Sequence, residues 1–281
     1  MTRWRRPTRA LALLLPWAAG AWGRADSEAD LAKKTQNPVA ALVSVPFQGN
    51  FDNRLGPGQT GTRILVNLQP VAPFSLNPDW NLISRTIAPV VSQKHMLPSG
   101  DTDADATGVG NIQESLFFSP VKPIAGGWIW GAGPVLLLPK LASSDYLGYD
   151  HGGLGPTAVI LRQAKGWTVG MLAQQIWSAG GDSGSGNPAD QPYSNAFLQP
   201  FVGYTTRTYT TVGANTESTY DWRSRQWVSV PLNVSATQLL KVHDLPLSVQ
   251  LGVRRWLHTV PGSGPEGWGY RITVTLLFPR N

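Results

Sequence analysis

The sequence contains no cysteine. A disulfide framework, a zinc–thiolate site and a cysteine nucleophile are therefore excluded. Histidine is scarce, with His95, His151, His243 and His258 making the full set. Charge is scarce too: Asp, Glu, Lys and Arg are 14% of the chain, against about 25% in soluble domains. Beyond the first segment no apolar run is long enough for a transmembrane helix. A chain poor in charge and lacking such helices must meet its surroundings in another way.

The first segment accounts for most of the basic charge. "MTRWRRPTR" is a basic stretch, "ALALLLPWAAGA" a short apolar one, and small residues come next at 19–21 and 23–25. This is the pattern of a secretory signal peptide over residues 1–25, cleaved near 21–25. It holds Arg3, Arg5, Arg6, Arg9 and Arg24 and no acid. Without these five, 18 basic residues face 17 acids, a net charge of +1 in place of +6. The basic character gives no case for a nucleic-acid partner.

Residues 26–38 read as a short helix and linker, with Ser27 as cap, Asp30 three residues on and Pro38 as stop. This segment can serve as a plug for the domain beyond it or as a plain linker; the linker reading is the simpler. From residue 39 to 281 nearly everything reads as strand, β-branched and aromatic with Gly and Pro between. Twelve segments are expected, near 39–50, 61–73, 80–92, 107–119, 127–139, 154–163, 167–178, 195–205, 208–220, 226–240, 245–257 and 268–278. Most are longer than the ~5–6 residues usual in soluble proteins.

Connections alternate in length. Those after even-numbered strands are short ("SLNPD", "QAKG", "KVHD"), and those after odd-numbered strands are mostly long ("KHMLPSGDTDADA", "AGGDSGSGNPADQPYS"). Short turns on one side and long loops on the other predict an all-β fold. It is an up-and-down antiparallel transmembrane barrel of about twelve strands in the bacterial outer membrane. Period-two alternation agrees. Leu245, Leu247, Val249, Leu251 and Val253 oppose Pro246, Ser248, Gln250, Gly252 and Arg254. The final strand alternates likewise from Trp268 to Phe278.

Aromatics mark the membrane interfaces, where an indole ring is half buried and its N–H stays wet. Trp80, Trp128, Trp167, Trp177, Trp227, Trp256, Trp268, Tyr270 and Phe278 are expected in these belts. The conflict is proline. Pro70, Pro89, Pro134, Pro156, Pro200 and Pro231 fall inside expected strands, and a closed barrel has no edge to host them.

Parity along the clean strands points Arg254, Gln250, Arg271, Asn233, Glu217 and Asn215 into the lumen. Arg85 joins them, although alternation around it is blurred. Such an interior is wet. Arg255 points outward, placed to contact lipid phosphate. For an outer-membrane lipid hydrolase, a Ser and a His must share an outer face near the membrane edge. Only His258 is near such an edge, and no G-x-S-x-G is present. "GDSGSGN" (181–187) reads as a flexible loop. "DTDADATG" (101–108) reads as a solvated acidic loop lacking the distal Glu of an EF-hand.

Several stretches resemble a known family: "TQNPVAALVSVPFQGNF", "GAGPVLLLP", "GLGPTAVILRQAKGWTVGMLAQQIWSAGG", "FLQPFVGY" and "LPLSVQLGVRRWLHTVPGSGPEGWGYRITVTLLFP". They are similar to outer-membrane proteins associated with phenol meta-cleavage pathways and described as transporters. The similarity runs from about residue 31 to 279. It implies a roughly twelve-stranded barrel and carries over no catalytic residues; no cofactor is expected. The expectation is a channel or transporter for diffusive uptake of small, aromatic or hydrophobic solutes. The alternatives are a non-conducting structural or binding barrel and, behind it, a lipid-modifying hydrolase. Expected partners are outer-membrane lipid and lipopolysaccharide, the barrel assembly machinery, and a small-molecule solute.

Overall fold

The computed structural model describes residues 28–96, 105–243 and 245–279. The signal peptide, the Ser27 cap and the first half of the acidic loop lie outside the described residues. One short helix, α1 (Glu28–Lys34), precedes twelve strands. These are β1 (Val43–Leu55), β2 (Gly61–Leu68 and Val71–Ser75), β3 (Trp80–Lys94) and β4 (Ala106–Val109 and Asn111–Pro120). β5 (Trp128–Lys140), β6 (Gly153–Ala164), β7 (Trp167–Ser178) and β8 (Ser194–Thr205) come next. The last four are β9 (Thr210–Thr216 and Ser218–Asp221), β10 (Gln226–Val242), β11 (Leu245–Thr259) and β12 (Trp268–Phe278).

Each strand pairs antiparallel with its sequence neighbours, and β12 returns to β1 from Val43↔Phe278 to Phe51↔Tyr270. The sheet is thus closed, with every backbone edge paired, which is the strand-built way to cross a bilayer. Turns on the terminal side are tight. Between β6 and β7, Lys165 and Gly166 both have positive φ, 50° and 84°, the two-residue hairpin geometry that matches strand twist.

The six mid-strand prolines are accommodated by interruptions rather than by edges. Pro70 lies in the break that divides β2. Pro89 faces the break in β4, and its carbonyl accepts from Gly110 N at 3.0 Å. Pro134 and Pro156 face each other. On their far sides the ladders skip Leu116 and Phe117, and Gly155 and Pro156. Pro200 and Pro231 flank the break in β9 at Glu217 from its two neighbours, where no ladder pairs form. Pro231 also lies just past a bulge, opposite Trp256.

Outward faces carry the apolar side chains: Leu251 is 62% exposed and Tyr270 59%. Trp80, Trp128, Trp167 and Phe278 ring the short-turn end. Trp177, Trp227, Trp268 and Tyr270 ring the long-loop end. Trp256 does not join them. Its Nε1 donates to Asp52 Oδ1 at 3.0 Å, with the Arg254 guanidinium 4.9 Å from its ring. It is an interior residue, and the expected belt position is corrected.

Strand one starts at Val43 rather than near 39, because the chain before it runs inside the barrel. Leu31, Ala32, Ala40 and Leu42 are buried against Leu239 and Leu277, inward residues of β10 and β12. Val39 goes deeper, into a cluster with Ile83, Phe117, Val159, Leu161 and Leu172. Full burial of a Leu or Val side chain contributes ~1.5–3 kcal/mol, so this segment is a docked plug and not the plain linker expected. Gly131 makes room for it: a Cβ there would lie 3.1 Å from Val39 Cγ1.

Candidate functional site: the barrel interior

The interior has two unlike walls. β1 and β9–β12 supply charge. Asn50, Asp52, Asn233, Arg254 and Arg271 are all buried, set there by strand parity. Arg271 clasps Glu217 in a two-point fork, Nη1–Oε1 2.8 Å and Nη2–Oε2 2.7 Å, the arrangement that makes Arg–carboxylate pairs strong. Arg254 reaches the same Oε2 at 3.1 Å. Its Nε donates to Asn233 Oδ1 at 2.7 Å. Asn233 in turn donates to Asn215 Oδ1 at 2.9 Å. Asn50 Oδ1 accepts from Arg271 Nε (2.7 Å) and Arg254 Nη2 (3.1 Å). Asp52 lies 3.3 Å from Arg63 and 3.6 Å from Arg254.

Glu217 can reach these arginines because it sits in the break of β9, held open by the prolines on either side. Sequence parity brought Arg254, Arg271, Asn233, Asn215 and Glu217 to one network. Gln250 lies nearer the terminal end, donating to Thr237 Oγ1 (3.1 Å) and accepting from Thr273 Oγ1 (3.2 Å). Asn50, Asp52, Gln48 and Gln69 were missed. Gln48, Asn50 and Asp52 alternate with Phe47, Gly49 and Phe51, a signal the sequence contains once β1 is carried past residue 50.

β3–β8 supply the apolar wall: Ile83, Phe117, Val159, Leu161 and Leu172, with Ile129, Phe197 and Phe201 partly buried beside them. Arg85 is set into this wall between Ile83 and Ile87, and its Nη2 donates to Gln69 Oε1 at 3.0 Å. Gln69 passes the bond to Gln48 Oε1 at 3.2 Å.

Two cavities of about 250 Å³ each lie between the walls. The one nearer the long loops is lined by Gln113, Gln174, Phe197, Glu217 and Arg271 among others. The one nearer the termini is roofed by Lys34–Pro38 of the plug. Gln48, Gln69, Arg85 and Gln199 line both, forming a waist.

At the long-loop end, 141–152 and 179–193 pack on each other and against Val135 and Ile176. Tyr149 and Tyr193 stack with ring centroids 4.1 Å apart, and His151 Nε2 lies 2.5 Å from Asp190 Oδ1. That hydrogen bond holds the Asp190 carboxyl below the usual carboxylate range. Burial, then the neighbouring Tyr149, pushes the Tyr193 hydroxyl up to about 12. His258 Nε2 donates to the Trp227 carbonyl, 3.0 Å away, and His95 and His243 are turn residues with positive φ.

Arg255 and Glu114 are among the outward residues that bring charge to the lipid side. Arg255 lies with its guanidinium 5.5 Å from the Trp268 ring at the long-loop rim. Glu114 faces the lipid side between Leu116 and Leu136, accepting from Ser84 Oγ (2.6 Å) and Thr86 Oγ1 (2.5 Å).

No protein-family model matches the chain, and no curated protein matches it. Solved structures do. An outer membrane channel from Pseudomonas putida F1 aligns with a TM-score of 0.60 at 17% identity, over 84% of this chain and 94% of that one. The NanC porin aligns at 0.50 with 10% identity, over 83% and 98%. A dimer of Salmonella typhi outer membrane phospholipase with bound calcium aligns at 0.47 with 11% identity, over 90% and 98%. At these identities the likeness is one of fold: the chain is a closed twelve-stranded antiparallel barrel of the outer-membrane kind.

Proposed function

We propose that this protein is an outer-membrane channel for the passive passage of small solutes with aromatic or otherwise apolar bodies. The observation that carries this reading is the pair of cavities in series between a charged wall and an apolar wall. A purely structural barrel gains nothing from two chambers of about 250 Å³ lined by Arg, Glu and Gln, since buried charge is a net cost unless it serves a further end. The phenol-pathway resemblance of the sequence supports aromatic solutes in particular. The plug makes the resting passage narrow, and a solute must displace Lys34–Pro38 to leave. In this reading Arg255 holds a lipid phosphate beside Trp268, and the strand ending in Phe278 is what the assembly machinery grips.

The test is osmotic swelling of proteoliposomes in phenyl β-glucoside, which bare lipid excludes, against a disaccharide of similar size. Faster swelling in the aryl glucoside supports the reading. Swelling no faster than in protein-free vesicles for either solute overturns it.

A further inference from the structure

Four arginines, Arg63, Arg85, Arg254 and Arg271, face the middle of the lumen against two acids, Asp52 and Glu217. Three of the arginines are committed. Arg63 pairs with Asp52, Arg254 with Asp52 and Glu217, and Arg271 with Glu217. Among the described residues Arg85 makes no ion pair, and its side-chain hydrogen bond goes to a neutral amide, Gln69. It is also the guanidinium at the waist, lining both cavities. The acid whose charge it feels, Glu217, lines the same cavity but is already held by Arg254 and Arg271, so an arginine emerging from an apolar wall with no direct ion pair leaves donors to be satisfied by what passes.

The surroundings define that visitor. Phe197 and Leu172 line the chamber on the loop side, and Val71 and Phe201 the chamber on the plug side. Gln48 and Gln199 stand across the waist as neutral amides that donate as well as accept. A cavity of 250 Å³ holds one small molecule, below the ~300–1,000 Å³ of drug-sized sites. A cation gains nothing here, and a bare inorganic anion leaves the apolar wall unused.

We infer that the waist is a binding site for a small organic monoanion, an arene or short alkyl carboxylate, with its acid group on Arg85 and its apolar body against Phe197 and Leu172. Arg85 acts as the selectivity residue, and the paired arginines act as fixed scaffold. The inference rests on the proposed lumen route but concerns binding, so it can be tested apart from conduction.

The probe is benzenesulfonate, a permanently charged stand-in for an arene carboxylate that does not cross lipid as a neutral acid. Its binding to refolded protein in zwitterionic nanodiscs is measured by titration calorimetry, beside methanesulfonate and benzyltrimethylammonium. Arg85→Gln and Arg85→Lys are compared, both checked for native strand content and heat-modifiable migration. Expected is saturable binding of benzenesulfonate alone, weakened tenfold or more in Arg85→Gln and partly kept in Arg85→Lys. No binding, binding unchanged in Arg85→Gln, or equal binding of methanesulfonate overturns the inference. Binding without conductance would keep the site and remove the channel. Conductance without binding would do the reverse.

Discussion

Glu217 is the keystone of the charged wall, so Glu217→Gln is the most informative single change. The carboxylate accepts three bonds from two arginines that are 5% and 7% exposed, while its own side chain is 21% exposed. Taking one partner from a buried ion pair costs ~3–5 kcal/mol. Gln keeps one acceptor oxygen, and the site borders a cavity, so the lower end applies, about 3 kcal/mol. The residual cost is repulsion between Arg254 and Arg271, which relaxes if one of them also goes. Arg271→Met combined with Glu217→Gln should therefore recover part of the loss, with a coupling of about 2 kcal/mol. The assay is urea unfolding of vesicle-inserted protein followed by tryptophan fluorescence. A single variant within about 0.5 kcal/mol of the native protein, or strictly additive losses in the double variant, would refute the keystone reasoning.

Removing residues 28–38 should raise single-channel conductance while leaving the barrel folded, because the strands close without them; unchanged conductance would show that the segment does not block the lumen. Glu114→Leu should stabilise the inserted barrel by about 1 kcal/mol, since an acid on the lipid face is a cost; loss of stability in the same urea assay would mean the Ser84–Thr86–Glu114 contact is structural. Asp190 should titrate below the ordinary carboxylate value. A depressed folded-state value means its stabilisation is present above the ordinary carboxylate range and is lost only as pH falls through the lowered one. The loop packing should accordingly persist at mildly acidic pH, and His151→Ala should move Asp190 back up, both read by NMR titration. Trp256→Phe should leave fluorescence quenching by brominated lipid almost unchanged, whereas Trp177→Phe should reduce it; the opposite result would return Trp256 to the belt.

The strand count and the sidedness of the loops were legible because a barrel writes them in two independent signals, period-two alternation and connection length. The clean strands β10–β12 are clean for a reason: polar inside and apolar outside. Alternation blurs around Arg85 because this stretch of the β3–β8 wall is apolar on its inner face, while Ser84 and Thr86 place polar groups among the apolar residues of its outer face. Ile83 and Ile87 face inward while Leu82 and Val90 face lipid, so period two has no contrast to show. The inward course of residues 31–42 was hidden for a related reason. Val39 and Leu42 have no periodicity of their own, and only the apolar wall they meet gives them a place. Trp256 was misplaced by position along the strand, although its parity with Arg254 already pointed inward. The prolines looked like defects and are the means by which β9 opens at Glu217. No local signal joins Pro200, Pro231 and Glu217, which meet only when the three strands are side by side.

A solute route through the lumen, between its two walls, is the proposal on which the others depend. It is tested by single-channel recording of the refolded protein in planar bilayers, in native form and with residues 28–38 removed. Stable steps are expected in both forms, with larger steps once the plug is gone. The reversal potential should favour anions, from four arginines against two acids. Folded, inserted protein that gives no steps in either form would contradict a lumen route.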